Sequence, residues 1–121
     1  MKRLNSTGTL WVNNDGNAFS YNTQLTNTYK GLRVFNNTFY SVTTRKHQGQ
    51  FNRNSFELVL TTCKYNTRLT TNEVEEAINR ELNNIDWELI YLLDKRNTKK
   101  KKDTIKELNN RKEFLVNVLS K

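Results

Sequence analysis

Residues 69–96 carry the pattern that most restricts how this 121-residue chain can fold. Thr70 followed by Glu73 is a capping box, in which the threonine hydroxyl accepts from a first-turn N–H and the glutamate reaches back to the cap. Leu69 and Val74 supply the hydrophobic staple across that helix start. Beyond it, Val74, Ile78, Leu82, Ile85, Leu89 and Leu92 recur at spacings of four, four, three, four and three, which is the period of one helical face. An apolar face of that length has to be covered, and the remainder of the chain must supply the cover.

The helix is expected to end near Arg96, where Lys95 and Arg96 suit its negative end. No apolar residue occurs between Leu93 and Ile105, so an unbroken helix would expose about three turns with nothing to pack. Asp103 then serves as the cap of a second helix, with Ile105, Leu108, Leu115 and Leu119 as its stripe and Phe114 and Val118 beside them. The result is an antiparallel helical hairpin with Lys99, Lys100, Lys101 and Lys102 in the turn at its tip. One continuous helix of about 50 residues is the alternative, since no Gly or Pro forbids it. The first helix alone would be roughly 39 Å long, against a radius of gyration near 11 Å, roughly, for a sheet module of about 70 residues. Trp87, Ile90 and Tyr91 form a second apolar strip on it, which either joins two copies in a homodimer or lies along the sheet.

Strand patterns fill the first half. Residues 9–13 and 18–22 flank Asn14-Asp15-Gly16-Asn17, and Asp-Gly is a strong hairpin signal because both central positions must tolerate positive φ. Gly31 opens a third strand over 32–35, and Asn36-Asn37 forms a two-residue turn into a fourth over 38–43. The region 47–54 lacks any period and reads as a loop; alternation from Ser55 to Tyr65 gives a fifth strand. The expected class is α+β: a small antiparallel β module of about five strands over residues 1–68, then the helical hairpin over 69–121.

The formal charge of +8 is unevenly distributed. Residues 1–69 hold nine Lys or Arg against two carboxylates, residues 70–94 one against seven, and residues 95–121 ten against three. A basic module, an acidic helix and a basic end favour an anionic partner for the first and third blocks. No run of about 18 apolar residues is present and the basic start lacks a signal-peptide core, so a soluble, cytoplasmic protein without membrane contact is expected. The single Cys63 fits a reducing compartment and rules out an intrachain disulfide.

The segment from Tyr40 to Gln48 places Thr43, Thr44, Arg45, Lys46 and His47 in one rim at a strand end, a set that holds phosphate through cations and hydroxyls. Arg33, Arg53 and Arg68 extend that positive surface, and Lys99, Lys100, Lys101 and Lys102 offer a second one that could track a nucleic-acid backbone. Trp11, Tyr29, Phe35 and Phe39 read as core aromatics before base-stacking ones. His47 reads as a surface hydrogen-bonding group. Asp15 and Glu57 are the only carboxylates before the helix, so neither a zinc cluster nor a nucleophile with its base is expected, nor any cofactor, and the chain reads as no enzyme.

Two stretches, Trp11-Val-Asn-Asn-Asp-Gly-Asn-Ala-Phe-Ser-Tyr-Asn-Thr and Asn37-Thr-Phe-Tyr-Ser-Val-Thr-Thr-Arg-Lys-His-Gln, resemble a family of small phage-encoded proteins. Its members pair a Ser-Tyr-x-Thr strand with a Tyr-Ser-x-Thr-Thr-x-Lys-His strand, matched here by Ser20, Tyr21 and Thr23 and by Tyr40, Ser41, Thr43, Thr44, Lys46 and His47. The resemblance covers roughly residues 8–50 and implies a bacteriophage or prophage origin and a bacterial host cell. Small phage proteins of this kind are often inhibitors of host defence, anti-CRISPR proteins among them. The expectation is therefore a non-enzymatic binding protein that inhibits a host defence nucleoprotein through basic surfaces. Its alternatives are a direct RNA- or DNA-binding accessory protein, or a sponge for a nucleotide second messenger that uses the hydroxyl-rich rim as a phosphate pocket.

Overall fold

A computed structural model describes residues 2–65, 67–93 and 99–121. The α+β order expected from the sequence is the one found, with strands first and two helices last. Contacts divide the chain into two compact units, Met1–Ala77 and Ile78–Lys121.

In the first unit, β1 (Lys2–Arg3), β2 (Leu10–Val12), β3 (Ala18–Ser20) and β4 (Thr23–Gln24) form an antiparallel sheet in sequence order. The hairpin around Asp15-Gly16 is present, with Trp11 opposite Phe19 and Gly16 at φ +82°. A second sheet holds β5 (Thr26–Tyr29), β6 (Leu32–Asn36) and β7 (Leu58–Leu60). The strand expected over residues 32–35 is β6, and it begins directly after Gly31. That glycine follows Lys30 in the β5–β6 turn, and both have positive φ, 51° and 80°, as a two-residue turn between twisted strands requires. β7 pairs with β6 in parallel, so the module is not wholly antiparallel.

Leu25 lies between β4 and β5 and links the sheets: its N–H donates to Ala18 O and its carbonyl accepts from Asn36 N, both at 2.7 Å. It is fully buried with Leu10, Ala18 and Phe35, and Val12, Phe51, Phe56 and Val59 pack against this cluster. The Phe35 ring lies 5.0 Å from Phe56 and 5.6 Å from Phe51, at tilted angles that aromatic pairs prefer.

In place of the predicted fourth strand over 38–43, residues 38–41 are irregular and a helix follows, α1 (Val42–Gln48), which takes the first two residues of the loop expected over 47–54. Ser41 is extended and its Oγ accepts from Thr44 N at 3.1 Å, which is an N-cap. The buried face of α1 is Thr44, His47 and Gln48, spaced as a helix requires but polar, so hydrophobic periodicity could not mark it. Asn36 and Asn37 form no hairpin turn; Asn36 ends β6 and its Oδ1 accepts from Thr38 N. The strand expected over residues 55–65 is reduced to β7, preceded by a 3-10 turn at Arg53–Ser55. Phe39, expected in the core, is exposed, whereas Tyr29 and Phe35 are buried and Trp11 is half-buried and stacked on Phe19.

α2 (Thr71–Leu93) starts with the threonine half of the expected capping box, Thr70 Oγ1 accepting from Glu73 N at 3.1 Å. Glu73 Oε2 accepts from Lys64 N, and Tyr29 Oη donates to Glu75 Oε2 at 2.7 Å, so strands and helix start are tied by polar contacts as well as by buried Leu69 and Val74. Burial beside Glu75 pushes the Tyr29 hydroxyl up to about 12.

In the second unit α2 continues and packs with α3 (Lys99–Ser120). Ile78, Ile85, Leu115 and Val118 are buried there. Arg111 makes a two-pronged contact to Glu81, Nε to Oε2 at 2.7 Å and Nη2 to Oε1 at 3.2 Å, and Lys112 pairs with Asp86. The helical pair is as expected, but its details differ. Residues 99–102 form the first turn of α3 and not a tip loop, and Asp103 lies inside that helix and does not cap it. The predicted end of the first helix, at Lys95 and Arg96, lies outside the described residues. Trp87, Ile90 and Tyr91 are exposed, as a strip opposite the packed face should be.

The cap contact generates a test. Thr70→Ala should lower the unfolding free energy by about 1 kcal/mol, read from urea denaturation; an unchanged midpoint would mean that packing alone sets the helix start.

Candidate functional site: a hydroxyl-lined pocket

The two stretches singled out in the sequence meet in the first unit. The turn between β3 and β4 brings Ser20, Tyr21 and Thr23 to one wall; the cap and first turn of α1 bring Ser41, Thr43 and Thr44 to another. With Tyr65 they line a cavity of about 320 Å³, at the lower end of the roughly 300–1,000 Å³ of small-molecule sites. All seven lining side chains end in a hydroxyl and none carries a charge. Ser20, Thr23 and Thr44 are buried, while Tyr21 and Tyr65 are exposed at 48 % and 72 %.

Tyr21 has φ +54°, a left-handed conformation that costs a non-glycine residue roughly 1 kcal/mol. Its neighbours hold it there: its N–H donates to Thr9 O at 2.7 Å, and its carbonyl accepts from Trp11 Nε1 at 2.9 Å. The turn therefore presents the Tyr21 side chain at the pocket although the residue alone would prefer another conformation.

Behind the pocket, His47 is 5 % exposed, not the surface group expected from the sequence. Polar groups meet both of its ring nitrogens. Leu10 N–H donates to Asn5 Oδ1 at 3.2 Å, which turns the Asn5 Nδ2 toward Thr9 Oγ1 at 2.9 Å and His47 Nε2 at 3.4 Å. Thr9 Oγ1 also lies 3.4 Å from Nε2, and the other ring nitrogen, Nδ1, is 2.6 Å from Ser20 Oγ, which donates to Thr44 Oγ1 at 3.3 Å. Ser41 Oγ also donates to Thr44 Oγ1, at 3.2 Å. Burial holds the His47 ring below its usual value of 6.5, so it is neutral.

The cations expected to form a rim are used elsewhere. Arg45 Nη1 and Arg53 Nε both donate to Asn37 Oδ1, at 2.8 and 3.1 Å, and Arg45 lies over the Phe39 ring. Arg33 is paired with Glu57 at 2.7 Å, which holds that carboxyl below its ordinary range. Arg68 lies over Phe19. Lys46 is exposed on α1, and Lys99, Lys100, Lys101 and Lys102 belong to the other unit. Of the predicted site residues, Thr43, Thr44 and His47 thus come together, joined by Ser20, Tyr21, Thr23, Ser41 and Tyr65. The first four of these stood in the matched motifs; Tyr65 carried no signal. Among the described residues no group of three or more His, Cys, Asp or Glu is placed to hold a metal ion, and no helix is long and apolar enough to cross a membrane. Comparison with known protein families, with curated proteins and with solved structures found no match.

The buried ring makes stability depend on pH. Unfolded His47 takes up a proton near pH 6.5, whereas the buried ring resists it, so the unfolded state binds more protons below that value. Stability should fall as the pH drops through about 6.5 and go on falling until the folded ring also protonates. Urea midpoints at about pH 7.5 and about pH 5.5 should differ in that sense, and His47→Gln should shrink the difference. Equal shrinkage absent, the pH response belongs to other groups.

Proposed function

We propose that this protein is a non-enzymatic, phage-encoded binding protein that captures a small nucleotide-type ligand and so withholds a signal from the defence system of its bacterial host. The observation that carries the reading is the convergence of Ser20, Tyr21 and Thr23 with Ser41, Thr43 and Thr44 on one hydroxyl-lined cavity. A cavity with a few polar groups and aromatic edges is the form a small-molecule site takes. Because Arg33, Arg45 and Arg53 have internal partners, the pocket is a better candidate than a basic rim pressed against a nucleoprotein.

The non-enzymatic reading is supported by the groups around His47. A serine–histidine pair acts as nucleophile and base when a third group, commonly a carboxylate, orients the imidazole. Among the described residues the side chains at hydrogen-bond distance from the ring are Ser20, Asn5 and Thr9, none of them a carboxylate, and such a set holds the wall of the pocket in place.

Calorimetric titration with a panel of nucleoside 5′-phosphates and of cyclic di- and oligonucleotides tests the capture reading. One or more should bind, and Thr43→Arg, which fills the cavity from an exposed position, should weaken binding by about tenfold or more while stability changes by no more than about 0.5 kcal/mol. If the unmodified protein binds no member of the panel, the reading fails.

A second reading keeps the polyanion partner, RNA or DNA. Four lysines in the first turn of α3 add to the positive end of the helix dipole, an arrangement that a phosphate backbone would relieve. Replacing Lys99, Lys100, Lys101 and Lys102 by glutamine should lower the salt slope of binding to a labelled single strand by up to about 3. An unchanged slope would leave the lysines as a solvated helix start.

A further inference from the structure

The polarity of the hydroxyls goes further than the shape of the cavity. Ser20 and Ser41 both direct their hydrogens to Thr44 Oγ1. Their outward-facing groups are therefore lone pairs, while Thr44 Oγ1, accepting from both, has its own hydrogen left to donate. The hydroxyls of Thr23 and Thr43 have no hydrogen-bond partner among the described residues, and a free hydroxyl both donates and accepts. The wall thus alternates donors with acceptors at close spacing.

A phosphate group offers only acceptors and arrives with charge. In this pocket it would meet the hydroxyl donors of Thr23, Thr43 and Thr44 but also the lone pairs of Ser20 and Ser41, with no lining cation to balance its charge. A ring bearing two neighbouring hydroxyls is the complementary guest, because each of its hydroxyls likewise donates and accepts. Tyr21 and Tyr65, exposed at the mouth, supply aromatic faces for the flat side of a sugar ring or for an attached base.

Resting on the capture reading above, we infer that the pocket recognises a neutral vicinal diol on a sugar ring, the ribose of a nucleoside or a free saccharide, and not a phosphate. In a nucleotide ligand the phosphates then lie outside the cavity. This replaces the phosphate-holding role that the sequence suggested for the Thr43–Thr44 segment.

Titration of the intact protein with adenosine, 2′,3′-dideoxyadenosine, methyl glucoside and inorganic phosphate tests the inference. Adenosine should bind, the dideoxy analogue should bind about tenfold more weakly or worse, and phosphate should neither bind nor compete. Thr43→Val, isosteric and exposed, should reduce adenosine binding without altering the melting temperature and should leave the dideoxy analogue unaffected. Binding of methyl glucoside in place of adenosine would keep the diol and identify a saccharide source, which overturns the nucleotide part of the capture reading alone. Equal binding of the dideoxy analogue, competition by phosphate, or no binding of either diol would overturn the inference. If a cyclic nucleotide still binds in that last case, the capture reading survives it.

Discussion

A single buried asparagine decides how the first unit is assembled. Asn36 has no solvent exposure, yet every one of its polar groups is engaged. Its N–H reaches Leu25 O, its Nδ2 donates to Gln24 O and to Tyr40 Oη, its Oδ1 accepts from Thr38 N, and its carbonyl accepts from Gln48 Nε2. Buried polar groups are tolerable only when satisfied, so these bonds have to be made together. They stop β6, turn the chain into α1 and dock that helix against the junction of the two sheets. An apolar residue here would continue the strand and leave α1 without its anchor.

That network also explains what the sequence disclosed and what it hid. The α2 start was legible because Leu69, Thr70, Glu73 and Val74 act locally, and the first hairpin because Asp15-Gly16 imposes a backbone conformation. The α1 segment was misread because Phe39, Ser41 and Thr43 alternate with Tyr40 and Val42 as a strand would. Its helical face, Thr44, His47 and Gln48, is polar and carries no hydrophobic signal. Ser41 followed by Thr44 was a cap in plain view, but only tertiary contacts to Asn36 and Ser20 make the short helix worth forming. His47 was misplaced for the same reason, since its partners Asn5, Thr9 and Ser20 lie far away in sequence.

The candidate site was half legible. Thr43, Thr44 and His47 were marked by the density of polar groups in one segment, and Ser20, Tyr21 and Thr23 by the motif they match. Nothing in composition says that Arg45 and Arg53 turn to Asn37 and away from a ligand, because that choice depends on where a loop carbonyl and amide come to rest. A count of cations overstated the basic rim; the hydrogen-bond directions around Thr44 describe its chemistry better.

The parallel pairing of β7 with β6 has a consequence in time. Neighbouring strands β1 to β4, and β5 with β6, join through short turns, whereas Val34 must wait for Leu58 across the segment that contains α1. Closing long loops is slow relative to forming hairpins. The wall bearing Ser20 to Thr23 can therefore assemble early, and the wall bearing Ser41 to Thr44 is secured only when the crossover closes. A guest that grips both walls binds the finished molecule and not the half-built one, and contacts made after the transition state slow unfolding without hastening folding. On the capture reading, the lifetime of the protein among proteases would then follow the supply of the molecule it sequesters.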